Sequence, residues 1–387
     1  IRIKDADLQI TAEDDGIVVS KEEGYFYLES GSIDVTAADD GIHTTGDVLI
    51  AGGELSISAA DDGIHSDMGI AISDGEILIA ECYEGLEAVT IDFSGGDITI
   101  YPEDDGFNAN GGSQDMFGMG GGQGMRGDFG GNFGGPRRNG SAEDGQSENG
   151  DTSEDAGSNQ TEGQQQRPQD GGMRQSEDVS MTESEGTEPT EGQQQRPQDE
   201  ATAGSQDFPR TDMSGDERSE TEVLSESEDV ESYIKVSGGT ITIINETAQD
   251  ADGLDSNGDL YISGGTIRIS LVNSGNNSAL DYGSESGGVC EISGGNVIAC
   301  GSSAMAESFD STSTQCSILY NIGQGIEANT RLALEDADSN VILEYEVPCS
   351  FSTAVISCPE MVLGESYLVV IGDDVEEVVL EETSASF

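Results

Sequence analysis

The sequence predicts an all-β chain folded as a parallel β-helix, a solenoid of about 22-residue coils. Three observations carry that expectation. ISAADDGIHSD at residues 57–67 repeats VTAADDGIHTT at 35–45, 22 residues earlier. The same turn chemistry recurs at the same phase along much of the chain, the mark of stacked structural units. No Asn-Gly or Asp-Gly pair joins the strands of a unit at regular positions, as the hairpins of a sandwich or barrel would require.

Each unit reads as strand, Gly-rich turn, strand, acidic turn, a Gly-apolar step and a second turn. Val48 and Ile50, AGG, Leu55 and Ile57, then Asp61, Asp62, Gly63 and Ile64 make one such unit. Ile70 and Ile72, SDG, Ile77 and Ile79, then Glu84, Gly85 and Leu86 make the next. Ile91 and Phe93, SGG, Ile98 and Ile100, then Asp104, Asp105, Gly106 and Phe107 follow. Apolar residues alternate with polar ones in both strands, the signature of half-buried β-structure. The frame returns at Ile234 and Val236, SGG, Ile241 and Ile243, then Asp250, Asp252, Gly253 and Leu254. Leu260 to Ile269 and Cys290 to Ala299 repeat it again.

Residues 1–110 and 232–312 are therefore read as two stretches of one solenoid. Between them, 111–231 is Gly-, Ser-, Glu- and Gln-rich and contains TEGQQQRPQD twice. With few aliphatic residues it cannot bury enough surface to offset its ordering entropy, and it is expected to be a disordered acidic insert. Residues 313–387 lose the 22-residue phase. SILYNI, RLALED, VILEYEV, TAVISC and SYLVVIGDDVEEVVLEE are expected to form an antiparallel β cap, the last as a hairpin, covering the final coil against edge pairing.

The chain carries 78 acidic against 14 basic residues, a formal charge of -64. Outside 111–231 there remain 50 acids and six bases, so the excess belongs to the repeats and cap. Such a surface repels nucleic acid and anionic lipid and suits cations. No run of 18 apolar residues marks a membrane span. Ile1 already lies in a strand-like pattern, so a signal peptide or lipid anchor is expected to have preceded it. The six cysteines show neither CxxC pairs nor zinc spacing. A Cys349–Cys358 disulfide stands beside the alternative of buried free thiols, and the rung position of Cys290 favours burial.

Asp39, Asp40, Asp61 and Asp62 occupy one turn in consecutive coils, continued by Glu84, Asp104, Asp105, Asp250 and Asp252. Coils stack about 4.8 Å apart, where two carboxylates repel by roughly 3–4 kcal/mol at an effective dielectric near 20. The ladder therefore calls for protons or cations, and carboxylates from adjacent turns match the oxygen shell of calcium. The following glycine is expected to free the backbone to bend inward and lend carbonyls. Each Asp-Asp-Gly taken singly is also ordinary turn chemistry. His43 and His65 follow successive acidic turns and are expected to stack, either as solvent-facing strand residues or as transition-metal ligands. Tyr25 and Tyr27 should point outward if Phe26 and Leu28 point inward. Tyr101 and Phe107 flank an acidic turn and are candidates for stacking on sugar rings. Lys235 and Arg268, in adjacent coils, are candidate outward-facing ligand-binding cations.

DDGIHTTGDVLIAGGELSISAADDGIHSD and YEGLEAVTIDFSGGDITIYPEDDGFNANGG resemble a family of secreted bacterial carbohydrate-binding β-helix proteins that bind acidic sugars such as polygalacturonate. SGGTITI, DADGLDSNGDLYISGGTIRI, NNSALDYG, SGGNVIACGSSAMAES and TAVISCPEMVLGESY extend the likeness over nearly everything outside the insert. The resemblance implies a right-handed parallel β-helix related to pectate lyases, bound Ca2+, and binding of acidic plant polysaccharide; the first functional reading is non-catalytic, calcium-dependent binding of such a polymer, pectin-like or cellulosic, at the bacterial cell surface. The matching acids are Asp39, Asp40, Asp61, Asp62, Glu84, Asp104, Asp105, Asp250 and Asp252. Two departures bear on the metal sites: Ala251 splits Asp250 from Asp252, and Glu84 stands where other coils carry an Asp pair. Two other classes remain open. One is a polysaccharide lyase or glycoside hydrolase on the same scaffold, needing a Lys or Arg base or paired carboxylates. The other is a surface adhesin or scaffold.

Overall fold

The computed structural model describes residues 1–21, 24–110, 231–247 and 251–387. The expected disordered insert and Asp250 lie outside the described residues. Those described are strands and turns, with one three-residue 3-10 turn at Ser284–Ser286. No helix among them is long and apolar enough to cross a membrane.

The repeats form a parallel β-solenoid in which like positions stack in register. Ile33 pairs with Leu55, and Leu55 with Ile77. Ile77 pairs with Ile98, and Ile98 with Ile241. The last of these pairings joins the coils on either side of residues 111–230 directly. Phe107 likewise lies opposite Leu254. Alternation sets the inside: in Val48–Ser58 every apolar residue that faces inward is buried, and Leu49 between two of them is exposed. Phe26 and Leu28 are fully buried while Tyr25 is exposed, as their parity requires. Stacked Ile, Leu, Val and Phe side chains make one continuous core along the solenoid. Burying such side chains is the main favourable term, on the order of 1.5–3 kcal/mol each.

Each coil has three strand faces, not the two that the sequence pattern suggested. The third follows the acidic turn and is short: Ile42–Thr44 pairs with the start of Ile64–Cys82, which pairs with Leu86–Phe93. Three residues with one large apolar side chain are too few for a visible alternation, so the sequence read there as a turn.

Two kinds of glycine make the coil close. At the SGG corner between the first two faces the second glycine has a positive φ, 88° at Gly96 and 90° at Gly265, which only glycine adopts freely. The glycine after the acidic turn serves a different purpose. A Cβ on Gly63 would lie 2.7 Å from the Gly85 carbonyl oxygen and 2.8 Å from Ile79. Close approach of coils, not backbone freedom, excludes a side chain. The carbonyls of this column are not lent to a ligand either. Ile42 N–H donates to Gly63 O at 3.2 Å and Ile64 N–H to Gly85 O at 3.1 Å.

The cap is in place. Phe351–Ser357 runs antiparallel to the last coil, with Val297 opposite Ser357, and antiparallel to Ser317–Ile326. A separate four-stranded antiparallel sheet orders Val341–Val347, Thr330–Asp336, Ser366–Ile371 and Asp374–Val379 over a second core. The last two strands form the expected hairpin. All six cysteines are buried free thiols. Cys349 and Cys358 flank the extended strand Phe351–Ser357 at opposite ends, too far apart to bridge at about 3.3 Å per residue.

Gly63→Ala is expected to destabilise the chain by about 1–3 kcal/mol through overpacking, read as a lower denaturant midpoint with unchanged slope. Replacing residues 113–229 with a short Gly/Ser linker is expected to leave thermal unfolding as one cooperative transition, because the flanking coils pair without it. Loss of that transition would show that the replaced segment belongs to the fold.

Candidate functional site

The acidic turns build two columns along one edge of the solenoid. The inner column is Asp15, Asp40, Asp62, Glu84, Asp105 and Asp252, each immediately before the close-packed glycine. The outer column holds Asp39, Asp61, Tyr83 and Asp104, linked by backbone bonds from each N–H to the carbonyl one coil earlier. Beside them the outward residues of the third face form a row: His43 opposite His65, His65 opposite Glu87, Glu87 opposite Asn108, Asn108 opposite Asp255. Together Asp15, Asp39, Asp40, His43, Asp61, Asp62, His65, Tyr83, Glu84 and Glu87 line a groove.

The inner carboxylates have a structural task that the sequence did not reveal. Asp40 Oδ1 accepts the Asp62 N–H at 3.1 Å, and Asp62 Oδ1 accepts the Glu84 N–H at 3.3 Å. Further along, Asp105 Oδ1 accepts the Asp252 N–H and Asp252 Oδ1 the Ser278 N–H, both at 2.7 Å. One oxygen of each thus ties coil to coil. The Oδ2 atoms of Asp40 and Asp62 face the imidazoles of His43 and His65 in the groove, at 3.2 and 3.4 Å.

Burial and neighbouring negative charge raise the acids' proton affinity. Burial, then the charge of Asp62, pushes Glu84 up to about 9. Burial, then Asp252, pushes Asp105 up to about 10. Asp62 is raised by burial as well. Burial alone would lower His65, but its contact with Asp62 and the charges of Glu87, Asp62 and Asp40 outweigh this and hold it at about 9. Contact with Asp40 raises His43. The two rings stack as expected, with centroids 4.7 Å apart and planes 12° from parallel.

Three clusters offer carboxylate oxygens within 4.8 Å of one another: Asp14, Asp15 and Asp39; Asp39, Asp40 and Asp61; and Glu84, Asp104 and Asp105. Oxygen-only donors from adjacent turns fit a hard cation such as calcium. Asp40, His43 and His65, and Asp62, His65 and Glu87, form two further clusters that include imidazole nitrogen.

Asp39, Asp40, Asp61, Asp62 and Glu84 line this groove, and Asp104 and Asp105 cluster with Glu84. Asp252 continues the inner column beyond them. The other candidates are dispersed. Phe107 is fully buried, because it takes the core position after the column glycine that Leu86 and Leu254 fill in neighbouring coils, and it packs on Phe93 at 6.2 Å. It cannot stack on a sugar from there. Tyr101 is exposed but does not line the groove. Lys235 and Arg268 do not form a pair. Lys235 lies opposite Tyr261 before the SGG corner, and Arg268 opposite Thr242 after it. The Lys235 Nζ sits 3.6 Å from the Tyr233 ring centre, and Arg268 lies over Tyr345 of the cap.

Sequence reasoning missed Asp14, Asp15, Asp67, Tyr83 and Glu87. Asp14-Asp15-Gly16 is a further copy of the motif, but Asp15 precedes Asp40 by 25 residues rather than 22. Tyr83 stands in the outer column where its neighbours carry Asp, so its signal was visible only once Glu84 had been placed in the inner column. Among the described residues no Lys or Arg lines the groove. Arg2 and Lys4 both engage Glu29, and Arg331 engages Glu344 and Glu335.

A family model described as "Carbohydrate-binding domain-containing protein" matches residues 1–124, the stretch that contains the groove. No curated protein matches the chain, and no solved structure does. The family match supports carbohydrate binding by these coils.

The raised proton affinities fix a sign for the pH dependence of the metal-free protein. Glu84, Asp105 and His65 hold protons in the folded state that the unfolded chain releases at lower pH. Their stabilisation is complete below the unfolded values and is lost as pH rises towards about 9–10. In chelator the melting temperature is expected to fall between pH 5 and pH 9, and less steeply in Glu84→Gln with Asp105→Asn, where Asn keeps an acceptor for the Asp252 N–H. An identical slope in wild type and variant would show that these acids are ionised in the folded state.

Proposed function

We propose that the chain binds acidic polysaccharide, polygalacturonate or a similar uronate polymer, through calcium held at the acidic turns, and that it binds the polymer without transforming it. The observation that carries this reading is the run of oxygen-only clusters along one groove, within the stretch matched to the carbohydrate-binding family. Asp14, Asp15 and Asp39 would hold one ion and Glu84, Asp104 and Asp105 another, with Asp39, Asp40 and Asp61 offering a third set of donors. Bound calcium would supply positive charge and coordination positions that protein and sugar carboxylates share.

Charge explains why a cation is needed. The groove is anionic, the polymer carries a carboxylate on every ring, and direct contact is repulsive. Tyr83, 45% exposed at the groove and bonded to Asp104, replaces Phe107 as the aromatic surface available for a sugar ring. The lack of Lys and Arg in the described lining favours binding over β-elimination, which needs a base of that kind beside the uronate carbon. A polymer too large to enter a cell would be met outside it, so the proposed activity belongs at the cell surface.

Affinity gels test the reading. Migration is expected to be retarded by polygalacturonate with calcium, freed by chelator, and weakened as the polymer is methyl-esterified. Asp104→Asn with Glu84→Gln is expected to reduce retardation without unfolding the chain. No unsaturated uronate or new reducing ends should accumulate. Retardation that is equal with and without chelator would overturn the calcium bridge, and product formation would overturn the non-catalytic assignment.

A further inference from the structure

Cys358 cannot reach Cys349 across the strand that separates them, but the cap gives it a different neighbour. Ser317–Ile326 and Phe351–Ser357 run antiparallel, with Ser317 opposite Ser357 and Ile318 opposite Ile356. Continuing that register by one residue puts Cys316 opposite Cys358. The two also share a face. Cys316, Ile318 and Tyr320 on one side, and Ala354, Ile356 and Cys358 on the other, all belong to the second core. We propose that Cys316 and Cys358 are the site of a cross-strand disulfide, formed by exchange with a small-molecule disulfide such as oxidised glutathione, that fastens the cap. The inference does not depend on what the groove binds.

Residues directly opposite on antiparallel strands have Cα atoms about 4.5–5.5 Å apart, inside the range of about 4.4–6.8 Å that disulfides span. Their Cβ atoms start about 4.5–5.5 Å apart and must close to about 3.5–4.5 Å. Both cysteines lie one position beyond the ends of their strands, where less backbone pairing opposes that closure. The chains still adjoin there, since Ser357 Oγ donates to the Cys316 carbonyl at 2.7 Å. Both thiols also face one turn, residues 359–364. The Leu363 amide lies beside the Cys316 sulfur, and those of Glu360 and Met361 lie beside the Cys358 sulfur. The Tyr367 hydroxyl, which accepts the Val362 N–H at 2.7 Å and donates to the Glu360 carbonyl at 3.1 Å, is within electrostatic reach of both sulfurs.

Burial as a small apolar side chain accounts for the other cysteines one by one. Cys290 takes the place that Leu260 fills one coil earlier, and Cys82 lies opposite Pro102. Cys300 lies between Ser270 and Ala354. The Cys349 thiol donates to the carbonyls of Asn245 and Ser270, both at 3.3 Å. In the exchange, the Cys316 thiolate attacks one sulfur of oxidised glutathione, whose S–S bond breaks and releases one glutathione. The Cys358 thiolate then attacks the Cys316 sulfur and releases the second. The two cysteines lose two electrons and two protons, and one oxidised glutathione becomes two reduced ones. Only thiolates attack. Burial pushes the Cys358 thiol up to about 12 and raises Cys316 as well, so exchange is slow in the folded chain and the bridge forms as the chain folds. Once closed, it encloses Thr330–Asp336 and Val341–Val347 in one loop, and so holds the strand that covers the last coil to the sheet beyond it.

The test uses the full chain, unfolded in reductant and refolded either in a glutathione redox buffer or in reductant alone, then denatured and alkylated. Calcium and polysaccharide are left out, so failure here is separable from failure of the proposed function. In the oxidised sample Cys316 and Cys358 are expected to stay unlabelled while the other four cysteines label, and digestion should yield one peptide pair that joins them. The oxidised chain should melt roughly 5–10 °C above the reduced one. In Cys316→Ala the redox state should make no difference to melting. Should that variant fail to fold, peptide mapping of the wild-type chain decides by itself. Labelling of all six cysteines after refolding in the oxidising buffer would overturn the proposal. So would a linked peptide that joins Cys300 to Cys349 in place of Cys316 to Cys358, or a wild-type chain that melts at the same temperature in both redox states.

Discussion

Coil-on-coil pairing at about 4.8 Å is the constraint on which the rest of this structure depends. Parallel register makes each residue the neighbour of its counterpart one coil away, so a column tolerates only side chains that can accompany copies of themselves. Inside, stacked Ile and Leu satisfy this through packing. After the acidic turn nothing larger than hydrogen fits, because the next coil's carbonyl occupies the space. Where the column is acidic, the same spacing brings like charges together, and some compensation is obligatory.

Part of that compensation is internal. Each of several inner carboxylates gives one oxygen to the N–H of the following coil, which anchors the turn and keeps the side chain pointing along the groove. Several of the remaining carboxyl groups gather into clusters in which like charge would accumulate, Asp39 with Asp40 and Asp61, and Glu84 with Asp104 and Asp105. Burial raises the cost of that charge, hence the high proton affinity of Glu84 and Asp105. A proton and a bound cation are alternative ways to meet the same demand, which links structural stability to ligand binding in one set of residues.

The coil that breaks the pattern is informative for this reason. At residues 83 and 84 the Asp pair becomes Tyr-Glu. Glu84 remains in the inner column, but its longer side chain reaches Asn108, whose Nδ2 donates to Oε2 at 2.9 Å. Tyr83 interrupts the outer carboxylates and supplies the exposed aromatic surface of the groove. Charge, aromatic surface and the two histidines thus lie within a few coils of each other.

Repetition made the scaffold legible from the sequence alone. Period-2 alternation gave the buried rows, the constant 22-residue phase gave parallel stacking, and SGG marked the corners, because each is a local property repeated often enough to be seen. The acidic turns were legible for the same reason, from Asp39 through Asp105. Tertiary structure decided what was not periodic or not local. The 25-residue first interval hid Asp15, and the three-residue third face was too short to register. Phe107 looked like a turn aromatic, but stacking under Leu254 put it in the core. Lys235 and Arg268 looked like neighbours, but the corner between their strands put them in different rows. Most of all, the convergence of His43, His65, Asp67 and Glu87 on the acidic columns depends on which residues two coils place side by side. That is a distance in space, and a linear sequence records only distance along the chain.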